Sequence, residues 1–263
     1  MIPARKRWGQ HFLTRAETAE RIVAAARLGP TDTVVEVGPG NGALTRPIAA
    51  SVRHLLAIEI DPWRAVALQE EFAGERRVKI AHGDVLERPF AEWLEQAGWK
   101  GPAVLVANLP YNAATPILLA AAGEPEAIAR SVLTVQREVA ERLCARPGQE
   151  SYGYLSVRAA AFARARILFD LPPGAFRPRP RVTSTVVELS PRSPALETTL
   201  RDRALELASL GFRTRRKTLA NALSRAGERA DWERALETLG KEPRARAEEL
   251  SLEDFVKLAE LKP

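Results

Sequence analysis

Thr33-Val34-Val35-Glu36-Val37-Gly38-Pro39-Gly40-Asn41-Gly42 decides how the rest of the sequence is read. Its first half is an apolar, β-branched run with no breaker inside it, the pattern of a strand buried on both faces of a parallel sheet. Three glycines in five residues end the run, and Leu44 to Ala50 then reads as helix. Strand, glycine turn and helix open a nucleotide-binding βαβ unit, where backbone N–H groups at the helix N-terminus approach a ligand. Gly38, Gly40 and Ala43 also satisfy the dinucleotide fingerprint G-x-G-x-x-G/A, so the glycines alone do not name the ligand. Glu36 shifts the balance. A carboxylate directly before the turn repels a pyrophosphate but suits a ligand end bearing ammonium and sulfonium charge, and S-adenosylmethionine has that end.

Further strands follow at regular intervals. His54 to Ile60 reads as a second strand ending in Glu59-Ile60-Asp61, and Glu59 stands about twenty residues past the glycines, where an acid accepts ribose hydroxyls. Val78 to Ala81 is a third, followed by Gly83-Asp84-Val85, in which Asp84 is either a turn cap or an acceptor for an adenine amino group. Ala103 to Ala107 is a fourth and runs into Asn108-Leu109-Pro110-Tyr111; Ile128 to Val135, Arg166 to Phe169 and Thr183 to Leu189 bring the total to about seven. Helices are expected at Glu138–Leu143 and Leu155–Phe162, and from Thr14 to about Arg27, with Thr14 and Glu17 forming a capping box. Strands alternating with helices predict an α/β, doubly wound, Rossmann-like sheet with its ligands at the carboxyl ends of the strands.

The ends of the chain read differently. Ala4 to Leu13 is basic and carries Trp8 and Phe12, and is expected to fold over a ligand. Leu171 to Arg181 contains Phe176-Arg177-Pro178-Arg179-Pro180-Arg181, which predicts a stiff, basic, aromatic-tipped loop. Pro191 to Pro194 marks a boundary between a domain over 1–190 and a small all-helical one over 195–263. Helices are expected near Thr199–Leu210, Thr214–Ser224, Asp231–Leu239 and Leu252–Leu261. Arg213, Arg215, Arg216, Lys217 and Arg225 would cluster at the start and along one side of a helix, an RNA footprint or a solvated face.

Bulk composition narrows the class. The 263 residues carry 39 Lys and Arg against 33 Asp and Glu, a net charge of +6 that is compatible with a nucleic-acid partner. One cysteine, Cys144, excludes an intrachain disulfide and fits a reducing compartment. His11, His54 and His82 have no metal-ligand spacing, so no metal is expected. No apolar run approaches the roughly 18 residues of a membrane span, and no signal-peptide core stands at the N-terminus; a cytoplasmic protein is expected.

In this order the motifs resemble the ribosomal RNA adenine N6,N6-dimethyltransferases of the kasugamycin-sensitivity type. The resemblance covers nearly the whole chain and rests on Gly9-Gln10-His11-Phe12-Leu13, Val35–Gly40, Glu59-Ile60-Asp61, Gly83-Asp84-Val85, Asn108–Tyr111, Val135–Val139 and Arg215–Leu219. It implies a Rossmann-like methyltransferase domain that uses S-adenosylmethionine. The implied substrate is two adjacent adenosines near the 3′ end of small-subunit rRNA in a pre-assembled 30S particle, acted on by a monomer during ribosome biogenesis. It also implies cofactor positions at His11, Leu13, Gly38, Glu59, Asp84 and Asn108, to which the residues themselves add Glu36 and Gly40. The family usually has Asn where His11 stands.

Chemistry follows from the residues. The lone pair of adenine N6 is delocalised into the ring, so a site must accept hydrogen bonds from both N6 hydrogens to bend the nitrogen and aim its lone pair. Asn108 Oδ1 and the Leu109 carbonyl suit that task, and Pro110 biases Leu109 to an extended form. Tyr111 offers a face for a base flipped out of its helix, with Phe176 a candidate for the opposite face. Other readings remain: a related antibiotic-resistance dimethyltransferase acting on large-subunit rRNA, or a non-catalytic RNA-binding, assembly or transcription factor of the same descent. A nicotinamide dehydrogenase is disfavoured by Glu36.

Overall fold

The computed structural model describes residues 10–214 and 216–261. In chain order the elements are β1 (Phe12–Leu13), α1 (Ala16–Ala25), β2 (Thr33–Val37), α2 (Thr45–Ser51), β3 (His54–Glu59), α3 (Pro62–Glu71), β4 (Val78–His82), α4 (Phe90–Gln96), β5 (Ala103–Asn108), α5 (Ala114–Gly123), β6 (Ile128–Gln136) and α6 (Arg137–Cys144). Then come α7 (Tyr154–Phe162), β7 (Ala163–Leu171), β8 (Phe176–Arg177), β9 (Ser184–Pro191), α8 (Thr198–Phe212), α9 (Leu219–Ala222), α10 (Arg229–Thr238) and α11 (Leu252–Leu261). The seven expected strands form one sheet in the order β4-β3-β2-β5-β6-β9-β7. β4, β3, β2, β5 and β6 are parallel neighbours; the apolar runs of the inner strands β3, β2, β5 and β6 are buried as strands covered on both faces must be, whereas the edge strand β4 buries only Val78. β9 enters antiparallel to β6, which the strand–helix alternation did not foretell.

Local chemistry sets the helix starts. Asp61 caps α3 by accepting from Trp63 N at 3.1 Å, and Pro62 fills the first turn, where a missing N–H costs nothing. α4 has no cap of its own; the Glu124 carboxylate accepts from Phe90 N and Ala91 N, both at 3.1 Å. Thr14 does not cap α1. The N-cap is Arg15, and the Thr14 hydroxyl donates to the Ala175 carbonyl at 3.2 Å, so the expected capping box with Glu17 is absent. That contact belongs to a two-stranded ribbon in which Phe12 pairs with Arg177 and Leu13 with Phe176.

The chain divides into two compact units, and the division differs from a single break after 190. Described residues up to Ala140 group with Ala165–Pro191, whereas Glu141–Arg164 groups with the residues from Arg192 onward. The reason is packing: Tyr152, Val157 and Ala161 are buried among Leu205, Trp232, Leu250 and Phe255, and the Tyr152 hydroxyl donates to Leu250 O at 2.7 Å. The expected helix over Thr214–Ser224 shrinks to α9, because Thr218 is extended and Lys217 N closes a turn on Thr214 O. Arg213, Arg216 and Lys217 are therefore exposed around a connecting turn rather than along a helix face, and Arg215 lies outside the described residues. No helix among the described residues is long and apolar enough to cross a membrane.

Candidate active site

Strand order reverses at β2: β3 and β4 run off to one side and β5 and β6 to the other. The crevice at the carboxyl ends of β2 and β5 is the switch point where open α/β sheets bind ligands. Three adjoining cavities share one residue, Gly38, as lining. It has φ +69°, and a Cβ built there meets no atom within 4 Å, so the bare backbone borders open space. Gly40 is glycine for another reason. A Cβ there would lie 2.7 Å from the Phe12 ring, which packs over the turn.

Groups on the glycine-turn side are held before any ligand arrives. Glu59 Oε2 accepts from Gly40 N at 2.8 Å and Oε1 from Asp61 N at 2.9 Å, leaving lone pairs on both oxygens for further donors. Burial pushes its pKa up, opposed by those two N–H groups. Asp84 uses Oδ1 to cap the turn at Val85–Glu87, accepting from Leu86 N at 3.0 Å, and lines an apolar slot with Ile58, Ile60, Val85 and Ile117. It is thus the cap the residue pattern allowed and also a wall of the slot. Arg64 is a feature that strand and motif reading missed. It is fully buried, 3.6 Å from Asp61 Oδ2, donates to Asn41 Oδ1 within the glycine turn, and lies 4.2 Å over the Phe12 ring. Its spacing from Asp61, three residues along α3, was the available signal.

Asn108 closes the other side at the tip of β5. Its Nδ2 donates to the His11 carbonyl at 2.8 Å. A carbonyl only accepts, so this bond fixes which arm of the amide is which and leaves Oδ1 to the cleft that Asn108 lines. Leu109 N is bound to Thr134 O at 3.2 Å, anchoring the backbone that presents the Leu109 carbonyl. Tyr111 is half-buried; its hydroxyl is 2.8 Å from Ser184 Oγ, and its ring lies 5.0 Å from that of His11. His11 Nδ1 is 2.6 Å from Pro178 O and must therefore carry the proton. Its imidazole serves the 176–181 segment through that atom, while its carbonyl serves Asn108.

Phe176 is placed elsewhere than expected. It is 2 % exposed and packs in the core with Leu171, Ala175 and Val186, because its side chain points inward from β8 while Arg177 points out. In this conformation it offers no face to a base. Leu13, also half-buried, lines the cavity beside Glu36. The basic residues of the N-terminal segment, with Trp8 and Gly9, lie outside the described residues. Gln10 lines the central cavity with His11 and Phe12.

The sequence profile of the ribosomal RNA adenine dimethylases matches residues 1–262. The chain belongs to that family. It is 41% identical over 274 residues to the ribosomal RNA small subunit methyltransferase A of Thermosynechococcus vestitus, covering 99% of this chain and 97% of the relative. Its identity to the protein of the same description from Synechococcus elongatus is 40% over 263 residues, covering 98% and 94%. A dimethyladenosine transferase from Plasmodium falciparum shares the fold, with TM-score 0.80 at 23% identity over 94% of this chain and 96% of that one. The structure of the 23S rRNA methyltransferase ErmE matches with TM-score 0.72 and 26% identity over 95% and 98%. This family member is thus an adenine dimethylase with a Rossmann-like methyltransferase sheet. Its residues fit the S-adenosylmethionine that such enzymes use: Gly38 leaves room in the cleft, and the buried Glu36 Oε2 beside it has no hydrogen-bond partner.

Proposed function

We propose that the protein transfers methyl groups from S-adenosylmethionine to N6 of two adjacent adenosines near the 3′ end of small-subunit rRNA, within a pre-assembled 30S particle. The observation that carries this reading is the fixed Asn108 amide, whose Nδ2 is held by His11 O and whose Oδ1 is left to the cleft. Glu59 would hold the cofactor ribose, Asp84 the adenine amino group, Glu36 the ammonium end, and Gly38 and Gly40 the approach of the backbone. Leu13 and His11 would border the cofactor, His11 through its backbone. When bound, the cofactor supplies an electrophilic methyl group.

The rest is done by the chain. Asn108 Oδ1 and the Leu109 carbonyl accept the two N6 hydrogens and pull the nitrogen towards a tetrahedral form, which exposes its lone pair. Tyr111 stacks on the flipped base, braced by Ser184. No strong general base is required if the N6 proton departs after transfer, so positioning and preorganised dipoles carry the rate. Arg213, Arg215, Arg216 and Lys217, with Arg177, Arg179 and Arg181, would supply phosphate contacts. Relatives described as small-subunit methyltransferases favour the small-subunit reading over large-subunit rRNA, the substrate class named for ErmE.

One experiment separates them. Unmethylated small and large subunits are incubated with labelled cofactor, and the methylated nucleotides are mapped. Label on two adjacent adenosines of the small subunit is expected. Label confined to large-subunit rRNA, or none on either, overturns the assignment.

A further inference from the structure

Glu36 is the most awkwardly placed acid in the described part of the sheet domain. It stands in β2 opposite Ala57 of β3 and Val106 of β5, and is 1 % exposed. Its Oε2 is buried without a hydrogen-bond partner. Yet it is not sealed in a core, because it lines the small cavity bounded by Phe12, Leu13, Gly38, Asn41 and Asn108. A buried carboxylate lacking a counter-charge costs several kcal/mol, which a protein avoids by keeping the group protonated.

Resting on the cofactor reading above, we propose that Glu36 is a neutral acid in the ligand-free protein and becomes the counter-ion of the cofactor's α-ammonium group, releasing one proton to solvent at each binding event. The balance is simple: carboxylic acid plus ammonium gives a carboxylate–ammonium pair plus one proton. Burial pushes the Glu36 pKa up to about 8, while the Thr45 hydroxyl pulls it down, Glu59 on β3 adds to the rise and Arg46 on α2 opposes it. Arg46 is itself committed to Glu71, 2.7 Å away. The remaining neighbours, Ala57, Val106, Phe12, Leu13, Asn41 and Asn108, carry no charge. The arrangement selects as well as binds. A pyrophosphate would leave the acid protonated and release nothing, whereas a cationic amine replaces the lost proton with its own charge.

Two consequences can be measured. Below pH 8 the apparent affinity should rise about tenfold per pH unit. It should peak near pH 8, where Glu36 ionises by itself, and fall above it, because α-amines lose their own proton at about 7.7–8.0. The test is titration calorimetry of the full-length protein with S-adenosylhomocysteine, which keeps the α-ammonium but cannot react, at pH 6.5 in buffers of different ionisation enthalpy. About one proton should be released per ligand, reversing to a net uptake of about half a proton at pH 8.5, where Glu36 is already largely ionised and the free amine has largely lost its proton. Glu36→Gln should bind more weakly at pH 8 and release none. Binding by the parent without buffer-dependent heat, or equal release by Glu36→Gln, overturns the proposal and leaves the cofactor reading standing. No binding of either S-adenosylhomocysteine or S-adenosylmethionine would instead overturn the cofactor reading. If Glu36→Gln does not fold, the parent's proton count against pH decides by itself, a flat count contradicting the proposal.

Discussion

At the glycine-turn end of the cleft the ligand-facing groups are held mostly by near neighbours in sequence, while at the Asn108–Tyr111 end they are held from far away. Glu59 and Asp84 each accept an N–H from two residues on. Asn108 leans on His11, 97 residues distant, and Tyr111 on Ser184, 73 residues distant. The first end is built mainly by the βαβ units, with Phe12 of β1 added over the glycine turn. The second exists only when β1, the 176–178 segment and β9 have all reached the tip of β5. The proposed acceptor end is thus a product of the whole domain, whereas the proposed cofactor end is mostly a product of the βαβ units.

Substitutions can break or sharpen that contrast. Arg64→Leu should have the largest effect, because it strips the buried Asp61 of its cation and Asn41 of its donor. A loss of about 3–5 kcal/mol of stability is expected in chemical denaturation. Stability within 1 kcal/mol of the parent would mean that the glycine-turn end does not depend on this buried pair. Glu59→Ala should come next, weakening cofactor binding by about 1.5–3 kcal/mol in calorimetry, the worth of hydrogen bonds to a charged group, with RNA affinity unchanged. Unchanged cofactor affinity would remove Glu59 from the seat.

Salt dependence probes the helical unit by itself. Neutralising Arg213, Arg216 and Lys217 should each lower the log–log slope of RNA affinity against salt by about 0.7–0.9. An unaltered slope in the triple variant returns the cluster to a solvated face. The smallest effect belongs to Tyr111→Phe. Loss of its bond to Ser184 should slow transfer by about 0.5–1.5 kcal/mol, and adding Ser184→Ala should cost little more, since both remove the same contact. Full additivity of the two would show that Ser184 does not brace the ring.

Legibility in the sequence followed the same divide. The strands, the glycine turn and the acids Glu36, Glu59 and Asp84 all stand in local patterns, an apolar run followed by a turn, and the structure places them at one crevice. What escaped was long-range. Thr14 reads as a cap because Glu17 follows it, but its hydroxyl is taken by Ala175, 161 residues away. Phe176 reads as a loop tip because prolines follow it, but pairing with Leu13 turns its ring into the core. Arg64 belongs to no motif, and only the fold brings Asp61, Asn41 and Phe12 together around it. The stretch Glu141–Arg164 looks continuous with the sheet domain, and only the packing of Tyr152 and Val157 assigns it to the helical unit.

The central claim is that Asn108, fixed by His11, acts on the adenine amine in the transition state rather than in docking. It is tested most directly by Asn108→Ala under single turnover with saturating cofactor, alongside RNA binding at fixed salt. Transfer should slow roughly a hundredfold or more, the scale for deleting a preorganised polar group. RNA affinity should stay within a few-fold, because phosphate contacts dominate it. Transfer at the parental rate would make Asn108 a loop residue without a chemical role, and a parallel collapse of RNA binding would make it structural.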